Sequence, residues 1–149
     1  MHVLIGGIFR IDFHAEMPDF DRILERLMDK TDPAHGPYNC IIWCGAKWHN
    51  GAYGVITNPF YHVDRPFTPK RIGVHRLSYI IRHREQYPDG ILPSVDDEGR
   101  KLNVSHLCHN SLCVNPDHLT FETQAINNDR KSCKCSRRCL RTHNPFCLL

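Results

Sequence analysis

The chain lacks any apolar run near the roughly 20 residues that cross a bilayer, so no membrane-spanning helix is expected. It has no internal repeat and no low-complexity tract, which excludes solenoid and collagen-like architectures. Met1 to Phe9 is apolar only briefly before Arg10 and Asp12, with neither a basic leader nor a small-residue cleavage site, so a secretory signal is not expected. Charge of one sign is scarce too: 19 basic against 16 acidic residues leave a formal net charge of +3. No two cysteines stand in the Cys-x2-Cys spacing on which RING-like modules rely, and that module class is set aside.

What is present is a ligand-rich chain of 149 residues, with 8 cysteines and 11 histidines. The length suits one domain, here taken as 1–149, and 41% hydrophobic content gives only a modest core. Without secretion, thiols are expected on metal rather than in disulfides. Most of the ligand-type residues crowd between His106 and Cys147, while Cys40 and Cys44 stand far upstream. Charge is uneven as well. Arg130, Lys131, Lys134, Arg137, Arg138 and Arg141 face the single acid Asp129 after Asn127, leaving residues 1–126 slightly acidic. A basic, ligand-rich tail points to a polyanion such as nucleic acid.

Hydrophobic periodicity predicts a strand over 3–13 and an amphipathic helix over Asp19–Lys30, where Phe20, Ile23, Leu24, Leu27 and Met28 recur at helical spacing. Pro33, Gly36 and Pro37 should break the chain. Short strands are expected at Asn39–Trp43 and, after a turn at Asn50-Gly51, at Tyr53–Thr57. Pro59, Pro66 and Pro69 punctuate an irregular basic hairpin carrying Arg65, Lys70 and Arg71. A helix over Val74–Arg84 turns Val74, Leu77, Ile80 and Ile81 inward, and 88–100 reads as loop. A strand from Leu102 leads into His106, a second spans Leu119–Glu122, and a helix runs from Thr123 to Lys131.

Cys108, Cys113 and His118 stand at regular x4 spacing, three of the four soft or borderline ligands of a structural zinc. The fourth must be remote, and Cys40 or Cys44 would supply it. His106 is then spare, either a core histidine or a general base beside a rigid metal loop. The tail offers five candidates for a second set of four: Cys133, Cys135, Cys139, His143 and Cys147. A short polar tail has little core to order it, so a metal is its expected organiser.

Ser105, His106, Leu107, Cys108, His109 and Asn110, followed by Cys113, Asn115, Pro116, His118, Leu119, Glu122, Asn127 and Arg130, resemble the His-Cys box homing endonucleases. That group belongs with the ββα-metal and HNH-related nucleases. The resemblance is strong over about 102–147, and it extends more weakly to Cys40 with Trp43, to Tyr53-Gly54-Val55, and to Val74-His75-Arg76.

The resemblance implies an α+β fold: a small mixed domain with antiparallel strands, a ββα-metal catalytic unit at about 102–131, and a zinc-organised tail over 132–149. It implies His106 as general base and Asn127 as ligand of one catalytic magnesium, with Asn128 as the neighbouring alternative. An arginine near the leaving phosphate maps to Arg65 first and Arg71 second. One structural zinc would take Cys40, Cys108, Cys113 and His118, and the other Cys133, Cys139, His143 and Cys147. It further implies a homodimer acting on double-stranded DNA, with no membrane partner. The competing reading is a non-catalytic zinc module that binds nucleic acid and derives from a nuclease.

Overall fold

The structure is a computed structural model describing residues 2–5, 8–11, 18–35, 38–65, 67–141 and 143–149. It is a small mixed domain whose described strands form four two-stranded antiparallel sheets, with three α-helices beside them. The strand expected over 3–13 becomes a hairpin of β1 (His2–Ile5) and β2 (Ile8–Ile11), with residues 6–7, 12 and 13 outside the described set.

Helix α1 (Phe20–Met28) starts where its sequence says it should. Asp19 caps it by accepting from the Arg22 amide at 3.1 Å, satisfying one of the unpaired first-turn donors. Phe20 and Leu27 are buried, and Ile23, Leu24 and Met28 pack partly against the same core. Strand β3 (Thr31–His35) was not expected, because Pro33 reads as a breaker. A register irregularity between Asp32 and His35 accommodates the proline, which donates nothing to a ladder. Gly36, Pro37 and Pro66 lie outside the described residues.

β4 (Cys40–Trp43) pairs with β3, and β5 (Val55–Thr57) pairs with β6 (Arg71–Gly73). The two strands flanking Asn50-Gly51 thus find other partners. The Trp43 side chain lies between them, 1% exposed. A Cβ at Gly45 would overlap its indole, and one at Gly54 would overlap both Trp43 and Val74. Only glycine lets the backbone approach so closely.

Helix α2 (Val74–Arg82) buries Val74, Leu77, Ile80 and Ile81 as the sequence predicts. β7 (Leu102–His106) and β8 (Leu119–Thr123) form a five-pair ribbon in which His106 faces Leu119 across the strands. Both α2 and α3 (Gln124–Ser136) pack on this ribbon. α3 runs five residues past its expected end at Lys131 and stops where Arg137 adopts the left-handed conformation, φ 56°. The extension carries Cys133 into the tail cluster, a tertiary contact that overrides the weak helix preference of a Ser/Cys/Lys sequence.

Candidate functional site

The first ligand cluster is assembled by β4. The Trp43 amide donates to the Leu112 carbonyl at 2.9 Å, and the Val114 amide to the Ile41 carbonyl at 2.8 Å. These bonds lay Cys40 beside the loop that holds Cys108 and Cys113. Asn115 caps a 3-10 turn, Pro116–His118, that swings His118 inward. The Sγ atoms of Cys40 and Cys113 stand 3.6 and 3.4 Å from His118 Nδ1. One ligand atom from each of Cys40, Cys108, Cys113 and His118 lies within 4.8 Å of the others.

The second cluster joins the end of α3 to the tail. His143 Nε2 stands 3.8, 3.5 and 3.1 Å from the sulfurs of Cys133, Cys139 and Cys147. Backbone amides of Leu140 and Cys147 donate to the sulfurs of Cys133 and Cys139, each at 3.3 Å. Again four ligand atoms fall within 4.8 Å. For tetrahedral zinc with ordinary Zn–S and Zn–N bonds, the S···N edge is about 3.6 Å. Both clusters approach that edge, and both are three-quarters buried residue by residue, so the residues present fit zinc. Cys44 and Cys135 are exposed and belong to neither set, and no two of the eight cysteines are joined by a disulfide.

The thiol electrostatics of the first cluster are those of a pre-ordered set. Cys113 is pushed down to about 5, first by the hydrogen bond from Cys108, whose own thiol is pushed up by the same bond and by burial. In the second cluster burial pushes Cys147 up to about 11, against the lowering effect of Arg130.

His106 ends β7 immediately before the first cluster. Its Nε2 lies 3.0 Å from the Cys113 carbonyl oxygen. Its ring meets two others: it stacks with Tyr53 at 6.2 Å between centroids and lies tilted against His75 at 4.9 Å. His75 and Tyr53 are themselves 5.3 Å apart. Burial is the main force lowering the His106 pKa, to about 4; the Cys113 carbonyl opposes it and His109 and His118 add to it. His75, at the first turn of α2, is driven down to about 3 by burial, then by His106 and Arg76. Its Nδ1 is buried with no hydrogen-bond partner among the described residues. The roles of His75 and Tyr53 were not read from sequence. The only signal was their place in the Val74-His75-Arg76 and Tyr53-Gly54-Val55 segments.

Asn127 lies one turn into α3, half-buried, and its side-chain amide has no hydrogen bond among the described residues. Asn128 is exposed and accepts from Gln124 at 2.9 Å. Gln124 in turn accepts from the Asn103 amide on β7, which pins the start of α3 to the His106 strand. His106 and Asn127 make no direct hydrogen bond or ring contact. Arg65 sits in the hairpin turn and donates to the Asp89 carbonyl at 3.4 Å, while Arg71 lies 4.9 Å over the Trp48 ring. The described contacts bring neither arginine to His106.

The chain belongs to the family described as the zinc-binding loop region of homing endonuclease, matched over residues 40–148. The matched span holds all eight clustered ligands and both Asn127 and His106. No curated protein matches the chain. Membership supports a nuclease-related role. No helix among the described residues is long and apolar enough to cross a membrane.

Proposed function

We propose that the protein is a metal-dependent endonuclease that hydrolyses phosphodiester bonds of double-stranded DNA, as a homodimer and at specific sites. The observation that carries this reading is the bond between His106 and the Cys113 carbonyl. A carbonyl oxygen only accepts, so Nε2 bears the hydrogen and Nδ1 keeps its lone pair. A neutral imidazole held in that tautomer by a rigid metal loop is set up as a general base.

In this reading His106 Nδ1 takes a proton from a water as its oxygen attacks phosphorus. The P–O3′ bond breaks and the departing oxygen leaves protonated by solvent, giving 5′-phosphate and 3′-hydroxyl ends. Asn127 would hold a magnesium ion through its amide oxygen, and a side chain without a hydrogen bond among the described residues fits a hard oxygen donor. When bound, the ion would stabilise charge on the phosphate and the leaving oxygen. Arg65 would bind the adjacent phosphate. Its single described side-chain hydrogen bond leaves most of its five N–H donors unused. Arg71 is the second choice. Phosphate contacts from the tail and hairpin cations would make binding salt-dependent.

The test is cleavage of a random-site DNA library by the zinc-loaded chain with magnesium. The expected products carry 5′-phosphate and 3′-hydroxyl ends and share a recognisable sequence. Binding without cutting under every divalent metal would instead establish the non-catalytic module.

A further inference from the structure

Arg130 is the only arginine or lysine buried among the described residues, 1% exposed. Its Nε and Nη2 donate to the two carboxylate oxygens of Glu122 at 2.6 and 2.8 Å, and its Nη1 donates to Cys147 Sγ at 3.4 Å. Glu122 lies on β8, opposite Asn103 of β7. One guanidinium thus joins three things: the ribbon, the helix on which it sits, and a ligand of the tail cluster. On α3 it stands midway between Asn127, one turn before, and Cys133, one turn after. Residues three apart share a helix face, so a shift of Arg130 moves both neighbours.

A second link closes the loop. The Leu148 amide donates to the Leu107 carbonyl at 2.8 Å. Leu107 separates His106 from Cys108, and Leu148 follows Cys147. One backbone hydrogen bond therefore separates the two metal clusters, next to the candidate base. The helix carrying Asn127 and the strand carrying His106 are both anchored to the tail cluster, the first through Arg130 and Cys133, the second through Leu107.

A Cys3His set with zinc carries one net negative charge, and Glu122 beside it carries another. Arg130 faces both and has the flat five-donor fork that can serve both at once, which a lysine cannot. On the nuclease reading above, we infer that Arg130 is a positioning residue: it transmits metal occupancy of the Cys133, Cys139, His143 and Cys147 cluster to the placement of Asn127 relative to His106. The tail is then part of the apparatus that aligns the site, as well as a staple for the end of the chain.

The test compares the full chain with Arg130→Lys, Arg130→Met and the double variant Arg130→Met/Glu122→Gln, which leaves no buried carboxylate unpaired. Zinc is titrated in while the Asn127 side-chain amide is followed by NMR. In the wild type, filling the tail cluster should bring that amide to one sharp position. The double variant should bind the second zinc some 10–100-fold more weakly, the usual cost of losing an outer partner of a metal ligand. Its Asn127 signal should stay broad even when zinc is saturating, and Arg130→Lys should recover only part of the effect. With cobalt(II) as probe, loss of the N–H···S bond should move the sulfur-to-metal charge-transfer band to longer wavelength. An ion pair that only staples the fold would move the band in the same way but leave the Asn127 signal as it is in the wild type. A wild-type Asn127 signal in the zinc-saturated double variant would overturn the inference, whatever the band does. DNA cleavage is read separately: a chain that shows the coupling yet cuts nothing loses the nuclease reading alone, and one that cuts DNA but shows no coupling loses this inference alone.

Discussion

His106 Nε2 donates to the carbonyl oxygen of Cys113 across 3.0 Å, so the residue proposed as base is oriented by the backbone of a metal-cluster cysteine. The bond fixes the tautomer, and the stacked ring of Tyr53 and the tilted ring of His75 confine the plane. An imidazole on a plain loop would have neither constraint.

Replacing His106 by alanine should lower the cleavage rate by about 10²–10⁴-fold, the range a positioned general base supplies. Zinc content and circular dichroism should stay at wild-type values, because His106 belongs to neither cluster. Cleavage at an unchanged rate would remove His106 from the mechanism.

The two adjacent asparagines should behave differently. Asn127→Ala should raise the magnesium concentration needed for half-maximal cutting by at least tenfold. Asn128→Ala removes only an exposed bond to Gln124, worth about 0.5–1.5 kcal/mol at most, and should leave the magnesium dependence alone. A magnesium titration of both variants decides between them. The reverse pattern would transfer the ligand role to Asn128.

Metal analysis of the purified chain should find one zinc for each of the two clusters. Cys44→Ser and Cys135→Ser should leave that content intact, since both thiols are exposed and lie outside the clusters. Cys113→Ser should lose the first zinc, and a chelator should unravel the tail first, where apolar burial is least. Retention of a full complement by Cys113→Ser would refute the first ligand set.

Acid should act on His75. Its pKa lies at about 3 when folded, lowered chiefly by burial, against about 6.5 for an unfolded histidine. The unfolded chain therefore binds the proton more readily below about pH 6.5. The stability contributed by keeping His75 neutral is complete above that value and is lost progressively as pH falls toward 3. Ring nitrogen shifts between about pH 7.5 and 5 should show His75 neutral throughout, and His75→Phe should flatten the acid slope of stability over the same range. A ring that titrates near 6.5 would refute the buried, unpaired state.

Much of the local organisation was legible beforehand because it rests on short-range chemistry. The stripe of Phe20, Ile23, Leu24, Leu27 and Met28 repeats at helical period, and Cys108, Cys113 and His118 recur at fixed spacing along one loop. Pairing was harder to read. β4 joins β3 across a proline the sequence marks as a breaker, and β5 joins β6 rather than β4. Strand partners are chosen by the burial of Trp43 against Gly45, Gly54 and Val74, which no local window contains.

The same division separates the two halves of the candidate site. The sequence alone determined which residues can bind metal, the ββα order around His106, and the family resemblance, because side-chain chemistry and spacing are properties of the chain. Only the tertiary structure decided that Cys40 rather than Cys44 meets the loop, that Cys135 is left outside, and that Arg130 spans Glu122 and Cys147. Those outcomes depend on which side chains the core buries and which backbone groups must then find partners, and such long-range contacts exist only once the chain has folded.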